Sequence, residues 1–160
     1  MHIDFKSIIL VIIQLICIAL ILLTGNLVPR SFPLQIIFVL ALSLGIWALW
    51  IINFKNFRLT PNFPKDSRLV AKGPYKIIRH PMYSCLLLTT LMIVIDDFSI
   101  TRISIWLILL IDLYLKLIYE EKLIIDRTTD YLIYKRDTRK RLIPFIHWIK
   151  IKCYKITYSS

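Results

Sequence analysis

An all-α, polytopic membrane protein with about four transmembrane helices and a cytoplasmic amphipathic C-terminal region is the architecture this sequence predicts. Three observations carry the prediction. Hydrophobic residues make up 58% of the 160 residues, and the mean hydropathy of +0.68 is too high for an ordinary soluble domain of this size. Apolar runs of bilayer length recur along the chain. The formal charge of +11 is gathered into one connector and the tail.

The first run is Ser7–Thr24, SIILVIIQLICIALILLT, and the second is Leu34–Ile52, LQIIFVLALSLGIWALWII. Each matches the roughly 20 residues a helix needs to cross a bilayer. No small-residue cleavage site follows the first run, so it reads as an anchor rather than a removed signal peptide. Ala41 and Gly45, four apart on the second, let another helix approach closely. The third run, Met82–Ile95, is short. Proline is at ease in a first helical turn, so this span begins at Pro81 or Met82. The fourth, Ile100–Tyr119, carries Asp112 and Lys116.

Charge placement orients the spans. Arg30 stands alone between the first two, and Asp96 and Asp97 lie between the last two, with Arg102 just inside the fourth. Lys55, Arg58, Lys65, Arg68, Lys72, Lys76 and Arg79 crowd the connector Asn53–Pro81, and the chain after Tyr119 is equally basic. Positive loops remain cytoplasmic, which puts the connector, the tail and both termini on that side, in the inner membrane if the source is bacterial. Anionic lipid at the cytoplasmic face accounts for these residues without nucleic acid.

Several classes are excluded. Cys17, Cys85 and Cys153 are scattered, as are His2, His80 and His147, so no metal site or disulfide framework is expected. Gly25, Gly45 and Gly73 are the chain's glycines, too dispersed for a Rossmann phosphate loop. No inverted repeat points to a transporter.

Two features carry chemistry. Gly73–Tyr83, GPYKIIRHPMY, sits between two apolar runs. Irregular backbone cannot face lipid, so it lies at the interface or lines a protein cavity. The helix start at Pro81 turns free N–H groups toward any anion. With Arg79, His80, Tyr75 and Tyr83 around it, the stretch suits an anionic, partly aromatic ligand. It also suits an interfacial anchor of belt tyrosines and snorkelling cations. The second feature is the ladder Asp112, Lys116, Glu120 at i, i+4, i+8, with Glu121 beside it. Neighbours of opposite charge share one helix face. Asp112 lies too deep to snorkel and points to a cavity or a partner, although a structural ladder has the same spacing.

Taken in order, Leu69-Val70, Gly73-Pro74-Tyr75, Arg79-His80-Pro81-Met82-Tyr83, Glu120-Glu121, Tyr131 with Tyr134, and Ile143-Pro144 resemble the motif series of the integral-membrane isoprenylcysteine carboxyl methyltransferases and the phospholipid methyltransferases related to them. The resemblance implies an S-adenosylmethionine-dependent methyltransferase without a Rossmann domain, acting on an amphipathic acceptor drawn from the bilayer. Carried over residue by residue, it implies a cofactor shell of Ser67, Arg68, Leu69, Val70, Tyr75, His80, Pro81, Met82, Tyr83 and Glu120. Lys116 stands where relatives have an arginine that approaches the acceptor, and Asp112 would hold Lys116 in place. Lys116, Glu120 and His80 are the implied catalytic residues. Cys85 and Thr128 depart from the family's glycine and phenylalanine. The implied organisation is one membrane domain, 1–160: two helices in 1–53, the cofactor-binding and catalytic core in 54–145, and a basic interfacial tail in 146–160.

Residue chemistry agrees with this reading. Methyl transfer is an in-line displacement that rewards positioning. Tyr75 or Tyr83 would favour a cationic sulfonium. Glu120 would pair the cofactor's amino group or hydroxyls, and His80 its carboxylate. A carboxylate acceptor needs no base, and no residue reads as a dedicated one, so a carboxylate is the expected acceptor. A lipid amine would need a base, with His80 as the candidate. A phospholipid N-methyltransferase and a non-catalytic lipid-binding protein are the competing expectations.

Overall fold

A run of apolar residues long enough to cross a bilayer must satisfy its backbone internally, and the helix is the structure that does so within one segment. The computed structural model describes residues 5–52, 72–125, 130–138 and 140–142. Among them the chain forms α1 (Phe5–Leu23), α2 (Phe32–Ile52), a single 3-10 turn (Gly73–Lys76), α3 (Pro81–Asp96), α4 (Ile100–Ile125) and α5 (Asp130–Asp137), with no strand. At 1.5 Å per residue, the 19 residues of α1 and 21 of α2 span about 28 and 31 Å. Both are long and apolar enough to cross a membrane, and α3 is a shorter apolar helix. The expected runs correspond to these elements, with α4 continuing past Tyr119 to Ile125. The basic tail, 146–160, lies outside the described residues.

The bundle is made of two helix pairs. α1 packs on α4, and α2 packs on α3. Arg102 near the start of α4 reaches Ile21 near the end of α1, and Lys116 near the other end reaches Gln14. That pair therefore runs antiparallel. α1 buries the stripe Ser7, Gln14, Cys17 and Ile21 and leaves Ile12, Leu15 and Ile16 exposed. α2 buries Ala41, Gly45 and Ala48, a stripe of small residues. A Cβ added at Gly45 would overlap the Cys85 Sγ on α3, so glycine is what allows this approach. Between the pairs, Cys17, Ile21, Leu87, Ile93, Val94, Leu109 and Leu113 form the core.

One end of the bundle is latched by polar groups. The Asp96 carboxylate accepts from the Arg30 N–H (2.8 Å) and the Ser31 N–H (3.0 Å), satisfying donors where α2 begins. Arg102 is buried. It pairs with Asp97 at 2.9 Å and donates to the Ile21 carbonyl of the last turn of α1 at 3.2 Å. These contacts bring the helix ends together and hold the register of both pairs, which fixes the opposite end where the site lies.

Gly45→Ala should lower the melting temperature through overpacking worth about 1–3 kcal/mol. Cys85→Ala in the same chain should recover most of the loss, because it removes the sulfur that the new methyl meets. Thermal unfolding of the two variants in detergent checks this, and equal loss in both would show that the Cys85 sulfur is not what the new methyl meets.

Candidate active site

The site is assembled around the start of α3. Gly73 has a φ of +57°, and a Cβ there would lie 3.0 Å from Ile51 Cγ1. Conformation and space both call for glycine. The 3-10 turn buries Pro74 and Tyr75. The next residues pair with a strap formed by residues 138 and 140–142. Arg79 N–H donates to the Lys140 carbonyl (2.9 Å) and His80 N–H to the Arg141 carbonyl (3.1 Å). The Ser84 hydroxyl bonds the Leu142 carbonyl, and the Tyr134 hydroxyl of α5 bonds the Tyr75 carbonyl. The backbone at residues 79 and 80 is thus paired with that of the strap. Pro81 occupies the first turn of α3, where its missing N–H costs nothing, and His80 is the N-cap residue.

α3 and α4 then exchange polar side chains. The Tyr83 hydroxyl donates to Glu120 Oε1 at 2.6 Å, a short charge-assisted bond. The His80 and Tyr83 rings stack, 5.5 Å between centroids and 7° between planes. His80 Nδ1 lies 3.9 Å from Glu120 Oε2. One turn deeper, the Lys116 Nζ stands 5.4 Å from the Tyr83 ring centroid, within cation–π range. Three side chains, Glu120, His80 and Lys116, thus meet on Tyr83.

Glu121 faces the other way and ties down the strap. Its carboxylate pairs with Arg79 (2.9 Å), Arg141 (3.2 Å) and Lys135 (3.8 Å), and His80 Nε2 is 3.7 Å away. Burial alone would raise this carboxyl. The adjacent His80 and the Arg79 and Arg141 guanidinium groups outweigh burial and hold it below the usual carboxylate range. Burial pushes the Tyr75 phenol up, with Tyr134 adding to the effect, and pushes Tyr131 up with Glu121 adding. These tyrosines stay neutral.

The ladder on α4 differs from its expected form. Lys116 does not pair with Asp112. Its ammonium donates to Gln14 Oε1 of α1 at 2.9 Å. Asp112 is buried, both carboxylate oxygens lack a hydrogen-bond partner, and no ion pair reaches it among the described residues. Asp112 therefore does not hold Lys116; a residue 102 positions away does. The contact across helices wins because an amide accepts the ammonium inside the bundle without bending the side chain back along its own helix.

Of the expected residues, Tyr75, His80, Pro81, Tyr83, Lys116 and Glu120 gather at one end of the bundle, and Met82 is half-buried in the first turn of α3. Ser67, Arg68, Leu69, Val70, Thr128, Ile143 and Pro144 lie outside the described residues. Sequence reasoning missed Gln14 and Arg141, and it passed over Glu121 as an anchor. Gln14 carried a signal, because it is the one amide inside the first apolar run. Arg141 carried none, being one of many cations in a basic stretch. A family model described as phospholipid methyltransferase matches residues 34–128. No curated protein and no solved structure matches the chain.

The depressed Glu121 carboxyl gives the strap a pH dependence of known sign. Its contribution is fully present above the ordinary carboxyl value of about 4.3 and is lost as pH falls through the lower folded value. Corrected for intrinsic exchange, protection of the Arg79 and His80 amides should stay flat from pH 7 to about 5 and fall only in stronger acid. Glu121→Gln should lower it at every pH, and unchanged protection in that variant would separate the strap from the carboxylate.

Proposed function

The chain belongs to the phospholipid methyltransferase family, and from that premise we propose that it transfers a methyl group from S-adenosylmethionine to an amphipathic acceptor held in the bilayer. The observation that carries the reading is the Tyr83–Glu120–His80 group at the start of α3, inside the matched stretch. It joins the two motifs the sequence singles out. The further parts of the reading are that α3 and α4 also cross the membrane and that the site faces the cytoplasm.

The residues present fit the cofactor. The Tyr75 hydroxyl and His80 Nε2 are buried without hydrogen-bond partners, and such atoms are costly unless a ligand satisfies them. Glu120 Oε2 has His80 Nδ1 at 3.9 Å, beyond hydrogen-bond length, which leaves capacity for an ammonium or hydroxyls. When bound, S-adenosylmethionine supplies an electrophilic methyl carbon and a thioether leaving group. Glu120, Tyr75 and His80 would hold and orient it, and Tyr83 would fix Glu120 through the 2.6 Å bond. The strap over residues 79–84 would exclude water. These groups contribute by positioning, which is the larger part of what an in-line displacement requires.

The acceptor we propose is a phospholipid amine. The family description supports a phospholipid, and Asp112 supports an amine. An amine arrives as an ammonium and must give up a proton before its nitrogen can bond to carbon. A buried carboxylate without a counter-ion attracts the ammonium and takes the proton. The carboxylate acceptor expected from the sequence keeps one supporting observation: no protein carboxylate lies within 4 Å of the Lys116 ammonium among the described residues.

Membranes given methyl-labelled S-adenosylmethionine decide between the two. A label stable to base is expected, and a base-labile label would mark a methyl ester and favour the carboxylate. Tyr83→Ala and His80→Ala should each weaken S-adenosylhomocysteine binding about tenfold or more, since a hydrogen bond to a charged group is worth about 1.5–3 kcal/mol. Unchanged binding by calorimetry in both would remove the site from the start of α3.

The topology has its own test. In sealed cells, a cysteine placed at Asp97 should react with a membrane-impermeant thiol reagent, and one at Lys76 should be protected until the cells are opened. The reverse pattern would turn the site outward.

A further inference from the structure

Asp112 and Lys116 stand one turn apart on α4, both buried, at 4% and 3% exposure. Opposite charges at this spacing pair when nothing intervenes. In a low-dielectric interior their attraction is strong. They are nevertheless apart in this chain. The Lys116 ammonium points to Gln14 Oε1 at 2.9 Å and rides over the Tyr83 ring at 5.4 Å. Neither Asp112 oxygen has a hydrogen-bond partner. Gln14 belongs to α1, which precedes the stretch matched by the family model.

We propose that Gln14 is a positioning residue of the active site: it draws the Lys116 ammonium toward Tyr83 and away from Asp112, and so keeps both charges open to the acceptor's polar head. The inference rests on the methyl-transfer reading above for the word acceptor, but the separation of the charges stands on the geometry alone. An amide suits the task. It accepts one of the three ammonium donors and leaves the charge uncancelled. A carboxylate there would neutralise Lys116, and an aliphatic side chain would release it. Once released, Lys116 has Glu120 one turn away on one side and Asp112 on the other. Glu120 is already engaged by the Tyr83 hydroxyl at 2.6 Å, whereas both Asp112 oxygens lack a partner, so Asp112 and Lys116 would close into a neutral unit.

The two states differ in what Asp112 contributes to stability, and that difference is measurable without any methyl transfer. With Gln14 in place, Asp112 is a buried carboxylate lacking a partner, so Asp112→Asn should raise the melting temperature. With Gln14→Leu, Asp112 becomes the counter-ion of Lys116, so adding Asp112→Asn should lower it. The change of sign between the two backgrounds is the expected result, read by thermal unfolding of the full chain in detergent. The same sign in both backgrounds would overturn the proposal. So would a fall in melting temperature on Asp112→Asn in the unaltered chain, which needs no folded Gln14 variant. In the active protein, Gln14→Leu should leave S-adenosylhomocysteine affinity within about twofold and raise KM for the acceptor tenfold or more. Gln14→Glu should do the same by neutralising Lys116 in place. A Gln14→Leu protein with normal KM would also overturn the proposal. If the unaltered chain transfers no methyl group but the sign change appears, the function reading has failed and the role of Gln14 has not.

Discussion

The Arg79–Glu121 ion pair is the contact on which the site end of the bundle depends. Both side chains are 4% exposed and their charged atoms are 2.9 Å apart. Burying two charges this deep is costly, and removing one partner of such a pair costs about 3–5 kcal/mol. Arg79 stands just before α3 and Glu121 near the end of α4, so the pair fixes one helix start against one helix end. His80 is the next residue after Arg79 and Glu120 the one before Glu121. The pair therefore sets the distance over which Tyr83, Glu120 and His80 can meet. Arg141 and Lys135 join the same carboxylate, and through them the strap is bound to the structure it covers.

The two helix pairs are held by different forces, and the difference has a physical cause. Lipid tails are as apolar as leucine, so burial of hydrocarbon drives helices together weakly inside a bilayer. α2 and α3 rely on close approach, with Ala41, Gly45 and Ala48 facing α3. α1 and α4 rely on polar contacts: Gln14 with Lys116, and Arg102 with the end of α1. A close-packed contact has no room for a ligand head group. A polar contact in an apolar surround holds fixed charges and dipoles, which is what recognition of a head group requires.

Local sequence signals reported the local structure well. Apolar runs located α1 to α4, Pro81 located the start of α3, and the uninterrupted pattern from Ile100 located α4. The motif at 79–83 and Glu120 each stood out because each lies at an element end, where special residues contrast with an apolar background, and the family resemblance is what joined them. What was not legible lies across large separations in the chain. The i, i+4 rule paired Lys116 with Asp112, yet Gln14 competes for the same ammonium from another helix. Glu121 read as the neighbour of Glu120, because nothing in its own segment announces that Arg79 and Arg141 converge on it. Spacing along one helix tells which side chains share a face. It does not tell which helix that face meets.

This division follows the limits of the family match. Residues 34–128 contain His80, Tyr83, Lys116, Glu120 and Glu121, the groups a methyl transfer would use. Gln14 lies before that stretch, and Tyr134, Lys135 and Arg141 lie after it. These flanking residues contact the charges inside it. The Lys116 ammonium donates to Gln14 and lies over the Tyr83 ring; Arg141 and Lys135 pair with the Glu121 carboxylate, which also lies 3.7 Å from His80 Nε2. A shared core can therefore keep its reaction while its flanks change, because a charge redirected by one neighbour alters the partner it selects without altering the bond it helps to make. In this chain the polar groups that meet lie at the start of α3 and near the end of α4, and the amide that the Lys116 ammonium reaches lies on the helix that comes first.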